Sequence, residues 1–298
     1  MDGIINILKP TGMTSHDVVG YIRKNFKFKK VGHTGTLDPN AAGVLPVCIG
    51  KATKLSQYIM KKNKKYRCQM TFGAETDTLD SYGTVLSRHE TEYIEPERIK
   101  KALEGFTGDI SQIAPAYSAI KINGQRLYQK ARNNEVIEDI PSRTVTVSEI
   151  TIIDYSFPKL TLDISCSSGT YIRSLVRDIA HVLGTVGYMS LLIRTSSGEF
   201  TIENAVTLEE LGEGSSINEY IADMSTINLD MKDIIIKDTA LVSFLNGVYV
   251  SQKGIISDMA DFTYENVRVL DPQNKLIGIG IIKQKDSIDY LKSDSLLI

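Results

Sequence analysis

The stretch 143–183 constrains the fold more than any other. "RTVTVSEITIIDYSFPKLTLDISC" is rich in β-branched residues and predicts two strands joined near Pro158. "GTYIRSLVRDIAHVLG" then predicts a helix, with Ile172, Leu175, Val176, Ile179 and Leu183 on its apolar face and Gly184 as its stop. Strands and helices therefore mix without the regular alternation that a doubly wound parallel sheet requires. Other segments agree. "GIINILKP" is a short strand ended by Pro10, and a helix capped by Thr14 or Ser15 follows, with Val18, Val19 and Ile22 at helical spacing. "GVLPVCIG" is an apolar strand whose internal Pro46 predicts an edge or a bulge. "KATKLSQYIMKKN" places Leu55, Tyr58 and Ile59 on one helical face, whereas Tyr66, Cys68, Met70 and Phe72 alternate as in a half-buried strand. Pro96 opens a further helix, and Asn123-Gly124 marks a turn. The expected fold is α+β, built on a central, mostly antiparallel sheet.

A chain of 298 residues is long enough for one domain of about 200 residues and a smaller one. From Thr207 onward the sequence turns acidic, with Gly and Ser punctuation. The predicted organisation is a main domain at 1–210, a connector at 211–234 and a small β-rich domain at 235–298. In the last, "ALVSFLNGVYVSQ", "VRVLDPQNKLIGIGIIKQ" and "LLI" supply short strands. Charge divides along the same line. Lys and Arg number 26 against 20 Asp and Glu over 1–200, a net of +6, and 8 against 16 over 201–298, a net of −8. The basic part points to a nucleic-acid surface, with clusters "YIRKNFKFKK" (21–30) and "KKNKKYRC" (61–68) that interleave cations for phosphates with planar side chains for bases. No apolar run reaches membrane-span length and no secretory leader pattern is present, so the expected location is cytoplasmic. Cys48, Cys68 and Cys166 are odd in number and far apart, which predicts buried free thiols, and the four histidines share no zinc-site spacing.

"GHTGTLDP", residues 32–39, sets one carboxylate, Asp38, among glycines, threonines and apolar residues. Local rules make an Asp before Pro a turn-former. A metal site lacks a second carboxylate nearby, the closest upstream acid being Asp17. "SCSSGTYIRSLVRD" places Tyr171 and Arg173 at a helix opening, where exposed N–H groups and a guanidinium attract a carboxylate or a phosphate. The block Leu192-x-Arg194-Thr195-x-x-Gly198-x-Phe200 carries no message alone.

Taken in order, "GIINILKPTGMTSHDVV", "GHTGTLDPNAAGVLPV", "KKYRCQMTFGAETDTLD", "APAYSAIKINGQRLY", "CSSGTYIRSLVRDIAHVLG" and "LIRTSSGEF" resemble the bacterial TruB-type tRNA pseudouridine synthases, which modify the T-loop uridine at tRNA position 55. The resemblance spans roughly residues 3–210, and the C-terminal part is similar to a PUA-type RNA-binding domain. It implies a pseudouridine synthase catalytic domain with an RNA cleft, a T-arm tRNA substrate, no metal or organic cofactor, and no obligate protein partner, so a monomer. It further implies that Asp38 is the essential acid, His33 touches the flipped nucleotide, Tyr66 stacks on the target base, Tyr171 and Arg173 complete the pocket with Arg173 paired to Asp38, and Leu192 packs on the base. Such chemistry breaks the C1′–N1 bond, turns the base and rejoins it through C5. A carboxylate can attack C1′, attack C6 or remove a sugar proton, and the sequence leaves all three open.

Two positions depart from the family pattern. Ala114 stands where proline is common, which predicts a looser loop. Ile193 replaces a frequent arginine and leaves Arg194 as the substrate contact there. Two other readings stay open: an RNA-binding protein or chaperone that has kept the fold, and the guide-RNA-dependent relative that modifies ribosomal RNA within a multi-protein particle.

Overall fold

The computed structural model describes all residues except 119, 123, 134–139, 213–215, 260, 261, 263, 264, 286 and 287. Its main sheet runs, in spatial order, Ile221–Ala222, Gly3–Lys9, Ala42–Ile49, Gly187–Ser197, Lys64–Phe72, Lys159–Cys166, Ser142–Ser156 and Gly108–Ile113, with Phe200–Thr201 and Val31–His33 attached at the side. Every neighbouring pair is antiparallel except Ala42–Ile49 against Gly187–Ser197. The α+β expectation holds, and Ser142–Ser156 and Lys159–Cys166 form the hairpin predicted around Pro158.

One face of the sheet is covered by the helix Ile172–Val182, which buries Ile172, Leu175, Val176 and Ile179 against Cys68, Met70, Leu160, Leu162 and Ile164. Each fully buried aliphatic side chain contributes roughly 1.5–3 kcal/mol, so this face anchors the central strands. The helix Ser15–Phe26 begins at Thr14, whose side chain accepts from the Asp17 amide while Asp17 accepts from the Thr14 amide, and it buries Val18, Val19 and Ile22 on the neighbouring strands. Residues 50–59 are a 3-10 turn, Gly50–Leu55, running into the short helix Ser56–Ile59; Leu55, Tyr58 and Ile59 are all buried.

Two expectations are corrected. Pro46 lies inside the sheet, opposite Asn6, and not on an edge. Its ring nitrogen shares a side with its carbonyl, which faces Thr34, just beyond the last residue of Val31–His33 that pairs with this strand, so no ladder hydrogen bond is lost. "ALVSFL" is helical, within Asp238–Leu245, and not a strand: Ala240 and Phe244, one turn apart, are its buried residues, and Gly247 at φ 72 follows its end. An apolar run this short does not reveal its period until a partner surface selects one face.

A second sheet, ordered Asp233–Ile235, Asn266–Leu270, Leu276–Lys285, Ile288–Leu296 and Val250–Ser251, closes over its own core around Phe244, Val267, Val269 and Leu291. A shared core of Ile4, Val44, Leu55, Ile59, Leu270, Leu276 and Ile279 joins it to the main sheet. Tyr58 Oη donates to Asp294 at 2.6 Å across this junction. Of the predicted Asn123-Gly124 turn, Asn123 lies outside the described residues. Among the described residues no helix is long and apolar enough to cross a membrane.

Candidate active site

Asp38 sits in the connection between Val31–His33 and Ala42–Ile49, and neighbouring elements hold that connection at several points. The Ser15 hydroxyl accepts from the Leu37 amide at 2.8 Å and donates to the Leu37 carbonyl at 3.2 Å. The Gly12 amide and Lys9 Nζ both donate to the Pro39 carbonyl, at 2.9 and 3.2 Å. The Ala41 amide donates to the Asp38 carbonyl at 3.0 Å, closing a β-turn with Pro39 at its second position. The turn reading of Asp38 and a chemical role for it are therefore compatible, since the backbone makes the turn and leaves the carboxylate free for another partner.

That partner is Arg173. Its Nε lies 3.0 Å from Asp38 Oδ2 and its Nη2 donates to Oδ1 at 3.3 Å, a two-pronged pair, with the arginine side chain 7% exposed and the aspartate 36%. Four of its five N–H groups are engaged, because Nη1 also donates to the Thr78 carbonyl at 2.9 Å and Nη2 to the Tyr117 carbonyl at 3.0 Å. A planar fork with five donors can satisfy these acceptors at once; an ammonium cannot. Arg173 is the second residue of the helix Ile172–Val182, whose N-cap is Tyr171. Gln112, 1% exposed, clamps Tyr171 by accepting from its amide at 2.8 Å and donating to its carbonyl at 3.0 Å. The Arg143 guanidinium lies 4.5 Å from the Tyr171 ring centre.

Tyr66, Leu192 and Arg194 come from two adjacent antiparallel strands, where Tyr66 stands opposite Arg194 and Cys68 opposite Leu192. These four share one face. Tyr66 and Leu192 pack in the same cluster as Leu37, on the Asp38 loop. Burial pushes the Tyr66 phenol up, and the positive charge of Arg194, opposite it on the next strand, pulls the other way. His33 Nδ1 accepts from the Gly35 amide at 3.3 Å, which assigns the proton to Nε2; burial, followed by the positive charge of Arg194, holds this imidazole below its ordinary range.

Arg194 departs from the predicted substrate contact. It is 1% exposed, with Nε donating to the Val44 carbonyl at 2.7 Å and Nη2 to the Gly35 carbonyl at 3.2 Å. A guanidinium enclosed in this way offers nothing to a phosphate on the surface. The reason is a register shift between Met189 and Leu191, which returns Leu192 and Arg194 to the inward face. The cluster at 61–68 is likewise thinner than its composition: Lys64 is buried on the Met60 and Lys62 carbonyls, Lys62 pairs with Asp230, and Arg67 pairs with Asp163 at 2.7 Å. Lys61 and Lys65 remain exposed, as do Lys24, Lys27, Lys29 and Lys30. Ala114 is buried, 2% exposed, and packs inside the fold where a looser loop was expected.

Sequence reasoning missed Asp80, whose Oδ2 lies 4.0 Å from Arg173 Nη1. Its carboxylate is fixed locally, accepting from Thr78 Oγ1 at 2.7 Å and the Tyr82 amide at 3.0 Å, so the guanidinium lies between two acids of unequal reach. The available signal was a second Asp in a Thr-rich turn, "TDTLDSYG". Lys9 was also missed. It is wholly buried, donates to the Pro10, Met13 and Pro39 carbonyls, and is pulled down to about 8, chiefly by burial. Among the described residues no three His, Cys, Asp or Glu side chains gather as a metal site would require.

The class follows from comparison with known proteins. Residues 23–172 match the N-terminal domain of TruB family pseudouridylate synthases, and residues 173–229 match the tRNA pseudouridylate synthase B C-terminal domain. The fold is thus that of a pseudouridylate synthase. A protein named tRNA pseudouridine synthase B from Alkaliphilus oremlandii is 44% identical over 298 residues, covering 100% of this chain and 99% of its own. Its namesake from Caldanaerobacter subterraneus subsp. tengcongensis is 44% identical over 288 residues, covering 94% and 95%. Among solved structures, a chain in the crystal structure of a Cbf5-Nop10-Gar1 complex superposes with a TM-score of 0.77 at 26% identity, over 99% of this chain and 85% of that one. The chain belongs to the TruB family.

Proposed function

We propose that this protein converts the T-loop uridine at tRNA position 55 to pseudouridine without a cofactor, acting as a cytoplasmic monomer, and that Asp38 is the group that does the chemistry. The observation that carries this reading is the two-pronged Asp38–Arg173 pair beside Tyr66, Tyr171 and Leu192, in a chain 44% identical along its whole length to a protein named tRNA pseudouridine synthase B.

A uridine inside a folded loop must be extruded before an acid in a cleft can reach it, at a few kcal/mol of lost stacking. Tyr66 and Leu192 form an apolar wall on which the flipped base packs, and an aromatic contact of this kind returns about 1–3 kcal/mol. His33, with Nε2–H available, borders the nucleotide. Asp38 then acts at C1′, at C6 or on a sugar proton. In each case the C1′–N1 electron pair, or its equivalent in the ring, passes to the base, which becomes electron-rich while detached. The turn at Pro39 and the fork from Arg173 keep both carboxylate oxygens in place throughout, so little reorganisation is needed at the moment of reaction. The base turns in the pocket, C5 bonds to C1′, and the C5 proton leaves.

Loss of that proton defines the assay. A T-arm hairpin carrying tritium at C5 of its uridines is incubated with the purified protein alone. Release of one tritium per hairpin, with pseudouridine at the T-loop position, is the expected result. No release would refute the reading, and release only after addition of a guide RNA would favour the particle-type relative.

A further inference from the structure

The strand Gly108–Ile113 has its polarity reversed at its end. Ile113 points outward and is 46% exposed, whereas Gln112 points inward and is 1% exposed. Stability alone would favour the opposite placement, because an amide taken out of water must find partners for both its oxygen and its nitrogen. Gln112 finds both on one residue. Tyr171, at φ −95 and ψ 107, is extended, so its N–H and C=O point the same way, and the Gln112 amide accepts from the first at 2.8 Å and donates to the second at 3.0 Å. These two bonds also fix the orientation of the Gln112 amide, since a flip would set donor against donor and acceptor against acceptor.

The helix Ile172–Val182 needs such a tie. Its N-cap is a tyrosine whose side chain makes no cap, where Ser, Thr, Asp or Asn would cap the helix unaided. In a capping box the third helical residue reaches back to the N-cap amide. That residue here is Ser174, which is wholly buried, and its hydroxyl makes no hydrogen bond among the described residues. Gln112 takes this part from a distant strand. Its cross-strand neighbour Arg143 adds a second hold, donating to the Gly169 carbonyl and lying over the Tyr171 ring.

Both ends of the tie lead to the same guanidinium. Two residues beyond Tyr171 is Arg173 itself, and five residues beyond Gln112 is Tyr117, whose carbonyl accepts from Arg173 Nη2. The segments 112–117 and 171–173 are thus joined twice, in a closed ring of chain that carries the partner of Asp38. We propose that Gln112 is a positioning residue for the isomerisation: it holds the N-cap of the helix against the segment that ends at Tyr117, and so sets the place of the Arg173 fork and, through it, of the Asp38 carboxylate. Gln112 acts only through these groups and touches no substrate atom. This rests on the isomerase reading above, and it accounts for an amide buried beside an exposed isoleucine.

The test is a double-variant cycle in the full chain, using single-turnover tritium release from saturating T-arm hairpin, hairpin affinity and thermal unfolding. Gln112→Met keeps the length of the side chain and removes both of its bonds to Tyr171. Expected are a rate lower by about 10–100-fold, the scale of a small misplacement of a catalytic group, and an affinity within threefold of the parent. In an Arg173→Met background the same substitution should lower the rate less than threefold, since the fork it places is gone. A lowered Tm with an unchanged rate would make Gln112 a structural tie alone and overturn the assignment, as would an equal loss of rate in both backgrounds or a defect confined to affinity. Gln112→Glu serves as a second variant should Gln112→Met not fold: it keeps an acceptor for the Tyr171 amide, sets an oxygen against the Tyr171 carbonyl, and is held to the same outcomes. An inactive parent protein would instead remove the isomerase reading on which the assignment stands.

Discussion

Arg173→Met cuts the Asp38 pair while keeping an unbranched apolar side chain in place. Breaking a fully buried ion pair from one side costs about 3–5 kcal/mol. The Asp38 side chain keeps 36% of its surface open to water, so the low end applies, about 3 kcal/mol. At about 2–4 °C per kcal/mol for a chain of this size, Tm should fall by about 6–12 °C, leaving the protein folded at 25 °C. Turnover should fall by about 10²–10³, the usual consequence of removing a preorganised electrostatic partner. Asp38→Asn should abolish turnover, by at least about 10⁴. It should cost only about 1–2 kcal/mol of stability, because Arg173 keeps the Thr78 and Tyr117 carbonyls and has Asp80 at 4.0 Å. The double variant should be no slower than Asp38→Asn, since Arg173 acts through the carboxylate. Tritium release under single-turnover conditions reads the chemistry, and filter binding of the hairpin reads affinity separately. An Arg173→Met protein within threefold of the parent rate would refute the reasoning, as would a defect wholly in affinity or a double variant in which the two losses multiply.

Four further outcomes are expected. Tyr66→Phe should keep hairpin affinity within twofold, because the ring and its packing on Leu192 remain, while slowing tritium release; unaltered release would confine Tyr66 to stacking. Hairpin binding should weaken steeply with salt, with a log–log slope set by the number of phosphates neutralised, and Lys27→Ala/Lys30→Ala should flatten it; an unchanged slope would move the RNA away from 21–30. Burial pushes the Cys48 and Cys68 thiols up to about 12 and Cys166 to about 11, so none should react with a disulfide reagent at pH 8 until urea unfolds the chain, and reaction in the native state would contradict the packing. Lys64 is pulled down to about 8, against ~10.4 in an unfolded chain. Between those values the unfolded chain binds more protons, so stability rises with pH through that window; urea midpoints should show a flatter rise in Lys64→Met, and an equal rise would show that Lys64 does not contribute.

Several elements were legible because they repeat a local rule. Thr14, one of the two expected caps, begins its helix, Ile172, Leu175, Val176 and Ile179 formed one helical stripe, and Cys68, Met70 and Phe72 alternated along a strand. "ALVSFL" was misjudged because so short a stretch, five apolar residues and Ser243, fits a strand or a helix equally until Phe244 is buried in the core. Pro46 was misjudged because its donor-free side meets Thr34, just past the end of Val31–His33, where the ladder asks nothing of a Pro46 donor.

By itself the sequence determined the fold class, the asymmetric charge and, through its ordered blocks, the family. The resemblance carried by those blocks also singled out Asp38 and Arg173 as candidates, where local rules alone made the first a turn residue and the second an arginine at a helix opening. Only the tertiary structure decided which groups surround them. Asp80 meets Arg173 because a turn after Lys64–Phe72 folds back on the sheet, and the Thr78 and Tyr117 carbonyls arrive from segments about forty residues apart. Arg194 changed from an exposed contact to a buried tie because one register shift, invisible in the alternation of residue types, turned its side chain inward. Local pattern fixes which way a strand can face; the pairing of distant strands fixes which way it does.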